Sequence, residues 1–127
     1  MNGIDYLIDS NILIGLLNGD ARAMEQLQQA GAMPSRCAFS SISRMDVLGW
    51  QGMTPEQERT IAGLLTAMRH IPIDASVEDA VIALRRSRKI KLPDAIIAAT
   101  AQVHCLTLLS RDDHLLKVAQ ALQGTGQ

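Results

Sequence analysis

A chain of 127 residues, 47% apolar and 20% charged, is long enough to bury the core of one domain and has the make-up of a globular protein. With only Tyr6, Phe39 and Trp50 as aromatics and a net charge of −1, it has neither a row of stacking platforms nor a global basic field, so any contact with nucleic acid must be local. No run approaches ~18 uninterrupted apolar residues and no basic-then-apolar leader opens the chain, so a cytoplasmic protein with no membrane association is expected.

In chain order, Ile4 to Ile8 reads as a short strand, Asp9-Ser10-Asn11 as a turn, and Ile12 to Leu17 as a short helix broken by Asn18-Gly19-Asp20. Ala21 to Ala30 forms a second helix ending at Gly31, and Cys37 to Ile42 a second strand, followed by a helical segment from Ser43 to Trp50. Thr54, Pro55 and Gln57 spell a capping box with proline at the first helical position, and Ile61, Leu64, Leu65 and Met68 then recur on one buried face. His70 to Asp74 reads as a third strand. Ser76 can cap the next helix, whose Val77, Ala80, Val81 and Leu84 repeat the same spacing. Pro93-Asp94 opens a helix, Ala95 to Ala101, that is apolar on nearly every side and therefore expected to be buried. Cys105 to Leu109 is the fourth strand and Asp112 to Leu122 the last helix, with residues 123–127 expected to fray.

Strands that alternate with helices predict an α/β/α sandwich around a mainly parallel sheet, formed by a single domain over residues 1–127 without internal repeats. Cys37 and Cys105 fall in segments read as buried strands, which favours core thiols over a disulfide. His70, His104 and His114 are scattered, lack cysteine partners at zinc spacing, and are expected at the surface or its boundary.

In an open parallel sheet, sites form beyond the carboxyl ends of the strands. Asp9 follows strand one, Asp46 falls in the first turn of the helix after strand two, Asp94 starts the helix that leads to strand four, and Asp112 follows strand four. This convergence takes the helix around residues 76–89 to cross the sheet rather than pair with the helix after it. Gathered carboxylates oppose one another's ionisation, and Mg²⁺ or Mn²⁺ relieves that repulsion through oxygen ligands. Such an ion lowers the pKa of a bound water and neutralises a phosphodiester, so the pattern points to phosphoryl chemistry. Each residue alone has a plainer reading. Asp9 and Asp94 are good helix caps, Asp112 and Asp113 suit the positive end of a helix, and Asp46 fits an exposed helical face.

The motifs carry a resemblance. Tyr6-Leu7-Ile8-Asp9-Ser10-Asn11-Ile12-Leu13-Ile14 resembles the opening of PIN-domain nucleases, whose first acid ends strand one in an "LIDTNVLI"-like run. Leu92-Pro93-Asp94-Ala95-Ile96-Ile97-Ala98-Ala99-Thr100-Ala101 is similar to that family's third-acid motif. Leu108-Leu109-Ser110-Arg111-Asp112 resembles its "LLTRD" motif, with Ser110 where Thr is common. Together these span nearly the whole chain, and they resemble in particular the VapC-type toxins of bacterial toxin–antitoxin pairs. The resemblance implies a PIN-like sandwich of four or five strands and a Mg²⁺- or Mn²⁺-dependent endoribonuclease leaving 5′-phosphate and 3′-hydroxyl ends. It also implies a VapB-like antitoxin partner and a homodimer. By motif, Asp9, Asp94 and Asp112 would be catalytic metal ligands supported by Asn11 and Ser110, with Asp46 as a fourth catalytic and metal-site acid, directly or through water, and Asp113 as a further supporting residue. Two departures stand out. Where the family carries Glu in the helix after strand two, this chain offers the shorter Asp46, and its glycine-containing tail implies that a fifth strand is missing or rudimentary.

Arg44 and Arg111 lie nearest the acids in sequence and are the candidates for contact with substrate phosphate. The densest basic run, Arg85, Arg86, Arg88, Lys89 and Lys91, reads either as a solvated helix C-terminus or as a phosphate-contacting patch. Leu16, Leu17, Trp50 and Met53 are candidates to line a groove for the antitoxin, or else belong to the core. Two other functions compete with a nuclease: a catalytically weak PIN-like scaffold that only binds RNA or protein, and a receiver-type domain phosphorylated on Asp. The second would want a lysine where Ser110-Arg111-Asp112 stands.

Overall fold

The computed structural model describes residues 3–125. Its elements are β1 (Tyr6–Ile8), α1 (Ser10–Leu17), α2 (Ala21–Ala30), a 3-10 turn (Pro34–Arg36), β2 (Cys37–Ser40), α3 (Ser41–Leu48), α4 (Pro55–Thr66), β3 (Arg69–Ile71), α5 (Ala75–Ser87), α6 (Leu92–His104), β4 (Thr107–Leu109) and α7 (Asp113–Thr125). The strands form one sheet in the order β3-β2-β1-β4 with every pairing parallel, and the described residues hold no fifth strand.

Successive strand residues point to opposite faces, so a sheet buried on both sides needs apolar residues at every position. Leu7, Ala38, Ile71 and Leu108 face one way, into a core shared with α5, α6 and α7. Ile8, Cys37 and Phe39 face the other, against α1 to α4 through Ile12, Leu13, Ala23, Val47, Ile61 and Leu65. The α/β/α sandwich follows from this division.

Local signals set the helices. The capping box forms as expected: Gln57 N–H donates to Thr54 Oγ1 at 3.1 Å, and Thr54 N–H to Gln57 Oε1 at 3.0 Å. Gly31 ends α2 in the left-handed region at φ 66°. Gly15 lets α1 meet α2, since a Cβ there would stand 2.9 Å from Ala23 Cβ. α6 is the central helix of its layer, with every residue from Ala95 to Thr100 buried, and its small side chains allow close packing on both sides.

Several boundaries differ from expectation, each for a local reason. β2 stops at Ser40, whose Oγ accepts from Ile42 N–H and starts α3 two residues early. Asp46 therefore lies in the second turn of α3 rather than the first. Asp74, not Ser76, caps α5, accepting from Val77 N–H at 3.0 Å. α6 runs on to His104 and is closed by Cys105 at φ 55°, so Cys105 is an exposed helix-end residue instead of a buried strand thiol. Cys37 is buried as expected, and burial pushes its thiol up to about 11. α7 continues through Thr125, past the expected fraying point, while Gly126 and Gln127 lie outside the described residues.

The largest topological correction concerns α5. It does not cross the sheet alone; only residues 88–91 separate it from α6, and the two pack together as a hairpin. Asp94 still comes to the carboxyl edge. α6 feeds β4, which runs parallel to β1, so α6 must end at the amino edge of the sheet and begin at the other. No helix among the described residues is long and apolar enough to cross a membrane.

Candidate active site

The strand order reverses at β1: the chain moves to β2 on one side and later returns to β4 on the other. The carboxyl ends of β1 and β4 therefore flank a topological switch point, where open α/β sheets form their sites. Asp9 leaves β1 there and Ser110 leaves β4, and Asp9 N–H donates to Leu109 O at 3.0 Å across the join.

Ser110 is the hub of this junction. Its buried hydroxyl donates to Asp9 Oδ2 at 2.7 Å and accepts from Asn11 Nδ2 at 3.2 Å and from Asp112 N–H at 3.0 Å. One donor and two acceptor sites are thus all used. Asn11 closes the ring, its Oδ1 accepting from Arg111 N–H at 3.1 Å, and Gln26 Nε2 donates to the Ser110 carbonyl at 2.9 Å.

Asp9 is 8% exposed, and its other oxygen accepts from Ser10 N–H at 2.7 Å, so it does cap α1. Burial raises its carboxyl above the usual aspartate value. The hydrogen bonds from Ser110 and Ser10 oppose that shift, and the charges of Asp94 and Asp112 add to it. Both acids therefore stand within electrostatic reach of Asp9. Asp94 sits in the first turn of α6 without capping it, so the cap reading of that residue does not hold. Asp112 caps α7, accepting from Leu115 N–H at 3.1 Å. Asp46 is exposed and accepts from Ser10 Oγ at 3.1 Å, which ties it to the rim next to Asp9.

The remaining expected residues lie further out. Asp113 and Arg111 border a cleft of about 420 Å³ with Arg22, Glu25, Gln26 and Gln29, and Arg111 is ion-paired with Asp20. Arg44 stands two residues from Asp46, about 200° around the helix, and lines a separate hollow with Phe39 and His70. His70 accepts or donates at Ser41 Oγ, 2.7 Å away, and stacks on Phe39. Trp50 is exposed, while Leu16, Leu17 and Met53 pack partly against the α1–α4 core. Sequence reasoning missed Ser10, Gln26 and Asp20 as members of the site. The place of Ser10 between Asp9 and Asn11 is the signal that could have found it, but nothing local marks the other two.

Among the described residues, no three His, Cys, Asp or Glu side chains stand close enough to grip an ion as they lie. The donor set nonetheless fits a hard divalent cation: its acids offer only oxygen, they repel one another at Asp9, and none of them belongs to either ion pair among the described residues, Arg36 with Asp5 or Arg111 with Asp20.

The profile of the PIN domain matches residues 6–121 of this sequence. Among solved structures, the chain is similar to a toxin–antitoxin complex from Klebsiella pneumoniae at 38% identity and a TM-score of 0.73, over 85% of this chain and 87% of that one. FitAcB from Neisseria gonorrhoeae shares the fold at 21% identity and a TM-score of 0.73, covering 91% and 93%. DNA-bound VapBC from Salmonella typhimurium does so at 16% identity and a TM-score of 0.72, covering 90% and 91%. No curated protein matches the sequence.

Proposed function

The chain belongs to the PIN-domain family, and from that premise we propose that it is the toxin of a toxin–antitoxin pair, acting as a Mg²⁺- or Mn²⁺-dependent endoribonuclease. The observation that carries the proposal is Asp9: a buried carboxylate at the sheet's switch point, held by Ser110 and facing the charges of Asp94 and Asp112. Burying such a group without a cation is unfavourable, and the charges of Asp94 and Asp112 add to that cost.

Asp9, Asp94 and Asp112 would hold the ion, with Asp46 acting from the rim through water. A bound divalent ion supplies an activated water and neutralises charge on the phosphodiester. The chain's own residues supply orientation. Ser110 fixes one oxygen of Asp9, Ser10 N–H fixes the other, and Asn11 locks the Ser110 loop through Arg111 N–H. Asp113, one residue beyond Asp112, would add negative charge at the same helix end. RNA is the proposed substrate, a small antitoxin the proposed inhibitor, a homodimer the proposed assembly and the cytoplasm the proposed compartment. The solved toxin–antitoxin relative from Klebsiella pneumoniae supports the pairing.

The test is RNA cleavage by the purified chain with Mg²⁺ or Mn²⁺ and with EDTA. Cutting that stops on chelation and returns with added metal is expected; cutting that survives chelation contradicts the mechanism. A second reading, a PIN-like scaffold that binds without cutting, draws on the exposed Asp46 and on the absence of a closed ligand set among the described residues. RNA binding with no cleavage under any divalent ion favours it.

A further inference from the structure

On the side of the acidic edge away from α2, a cleft of about 450 Å³ opens between the α5–α6 turn and the start of α7, lined by Arg85, Lys89, Ile90, Lys91, Asp94 and His114. We infer that this cleft is a binding site for the RNA backbone, holding phosphates next to the one that is cut. The inference rests on the nuclease reading above and adds to it where the strand lies.

Charge is the first argument. Arg85, Lys89 and Lys91 face a single carboxylate, Asp94, in a chain whose net charge is −1. The ion pairs among the described residues, Arg36 with Asp5 and Arg111 with Asp20, involve none of them, so the three cations are available to a ligand.

Placement is the second. A basic residue in the last turn of a helix is explained by the helix dipole, and that accounts for Arg85 and Arg86 in the last turn of α5. It does not account for Lys89 and Lys91. Lys89 lies beyond α5, and Lys91 is the N-cap position of α6, at a helix end that is already positive and has no side-chain cap. A cation there opposes the dipole. Positive side chains crowded against a positive helix end suit an anion from outside the chain.

Continuity is the third. Asp94 is both a wall of this cleft and one of the acids acting on Asp9. A strand whose scissile phosphate lies at the acids must place its neighbouring phosphates on one flank or the other. The opposite cleft balances Arg22 and Arg111 with Glu25 and Asp113, and Asp20 already engages Arg111. The α5–α6 cleft is the basic flank.

The test uses the whole chain and a labelled, mixed-sequence single-stranded RNA oligomer, with binding measured across salt in EDTA so that nothing is cut. Arg85→Ala, Lys89→Ala and Lys91→Ala should each make the slope of log K against log salt shallower by about 0.7, the loss of one phosphate contact, while Lys89→Arg keeps it and Arg59→Ala on α4 leaves it unchanged. Unchanged slopes in all three variants overturn the inference, as does poly-glutamate displacing the RNA as well as unlabelled RNA does, which would assign the cleft to an acidic peptide. Cleavage by the wild-type chain with Mg²⁺ is scored separately. Cutting with unchanged slopes removes the cleft and keeps the nuclease; reduced slopes without cutting keep the cleft and remove the nuclease.

Discussion

The two flanks of the acidic edge have similar size, but one is balanced in charge and the other basic. On the α2 side, Arg22 and Arg111 meet Glu25 and Asp113, and Arg111 is held by Asp20, the residue that caps α2. On the α5–α6 side, Arg85, Lys89 and Lys91 meet only Asp94. Proximity to the acids in sequence therefore says little about which base is free to bind phosphate. Arg111 is adjacent to Asp112 yet already engaged, whereas Lys89 is five residues before Asp94 and unpaired.

Substitutions can break or sharpen this contrast. The largest effect should come from the acids that both flanks share. Asp9→Ala and Asp94→Ala should each lower RNA cleavage by more than the roughly 10–100-fold that loss of an outer partner costs, with circular dichroism unchanged. Next comes the hub. Ser110→Ala removes the donor to Asp9 and the acceptor for Asn11 and Asp112 N–H, and should weaken metal affinity by about 10–100-fold, while Ser110→Thr keeps the hydroxyl and most of the affinity. A smaller change should follow on the neutral flank. Asp20→Asn retains a residue able to cap α2 but releases Arg111, so the salt slope of RNA binding should steepen by about 0.7. Its cost to stability should not exceed ~1 kcal/mol, because the pair is partly solvated.

A pH effect isolates Asp9 itself. Its folded carboxyl lies above the ordinary value, so between that value and the folded one the native state binds the proton more tightly than the unfolded chain. The stability from this group is present at low pH and lost as pH rises through that window. Metal-free Asp9→Asn should therefore melt above wild type at pH 7, and the gap should close as pH falls below the ordinary carboxylate range. Saturating Mn²⁺ should raise the melting temperature of wild type and not of the variant.

Much of this architecture was legible in the sequence because it rests on local or periodic signals. The alternation of strands and helices, the Thr54 capping box and the all-round apolar α6 led to the parallel sandwich, and the placement of Asp9, Asp94 and Asp112 after or before particular strands brought them to one edge. Features that depend on pairing between distant residues were not legible. The α5–α6 hairpin leaves no mark in either helix's periodicity, the left-handed Cys105 carries no glycine signal, and the ties from Gln26 to Ser110 and from Asp20 to Arg111 span more than eighty residues. The separation of Arg44 from Asp46 was not legible for a geometric reason. Closeness to Asp46 along a helix means little when two residues turn the side chain to the other face.

The central claim is that Asp9, Asp94 and Asp112 share one divalent ion, and titration of Mn²⁺ into the metal-free chain by calorimetry tests it most directly. Wild type should bind at this site, and Asp9→Asn, Asp94→Asn and Asp112→Asn should each weaken that binding sharply, whereas Arg59→Ala should leave it unchanged. Mn²⁺ binding that is absent from wild type, or that survives all three carboxylate substitutions, would contradict the account.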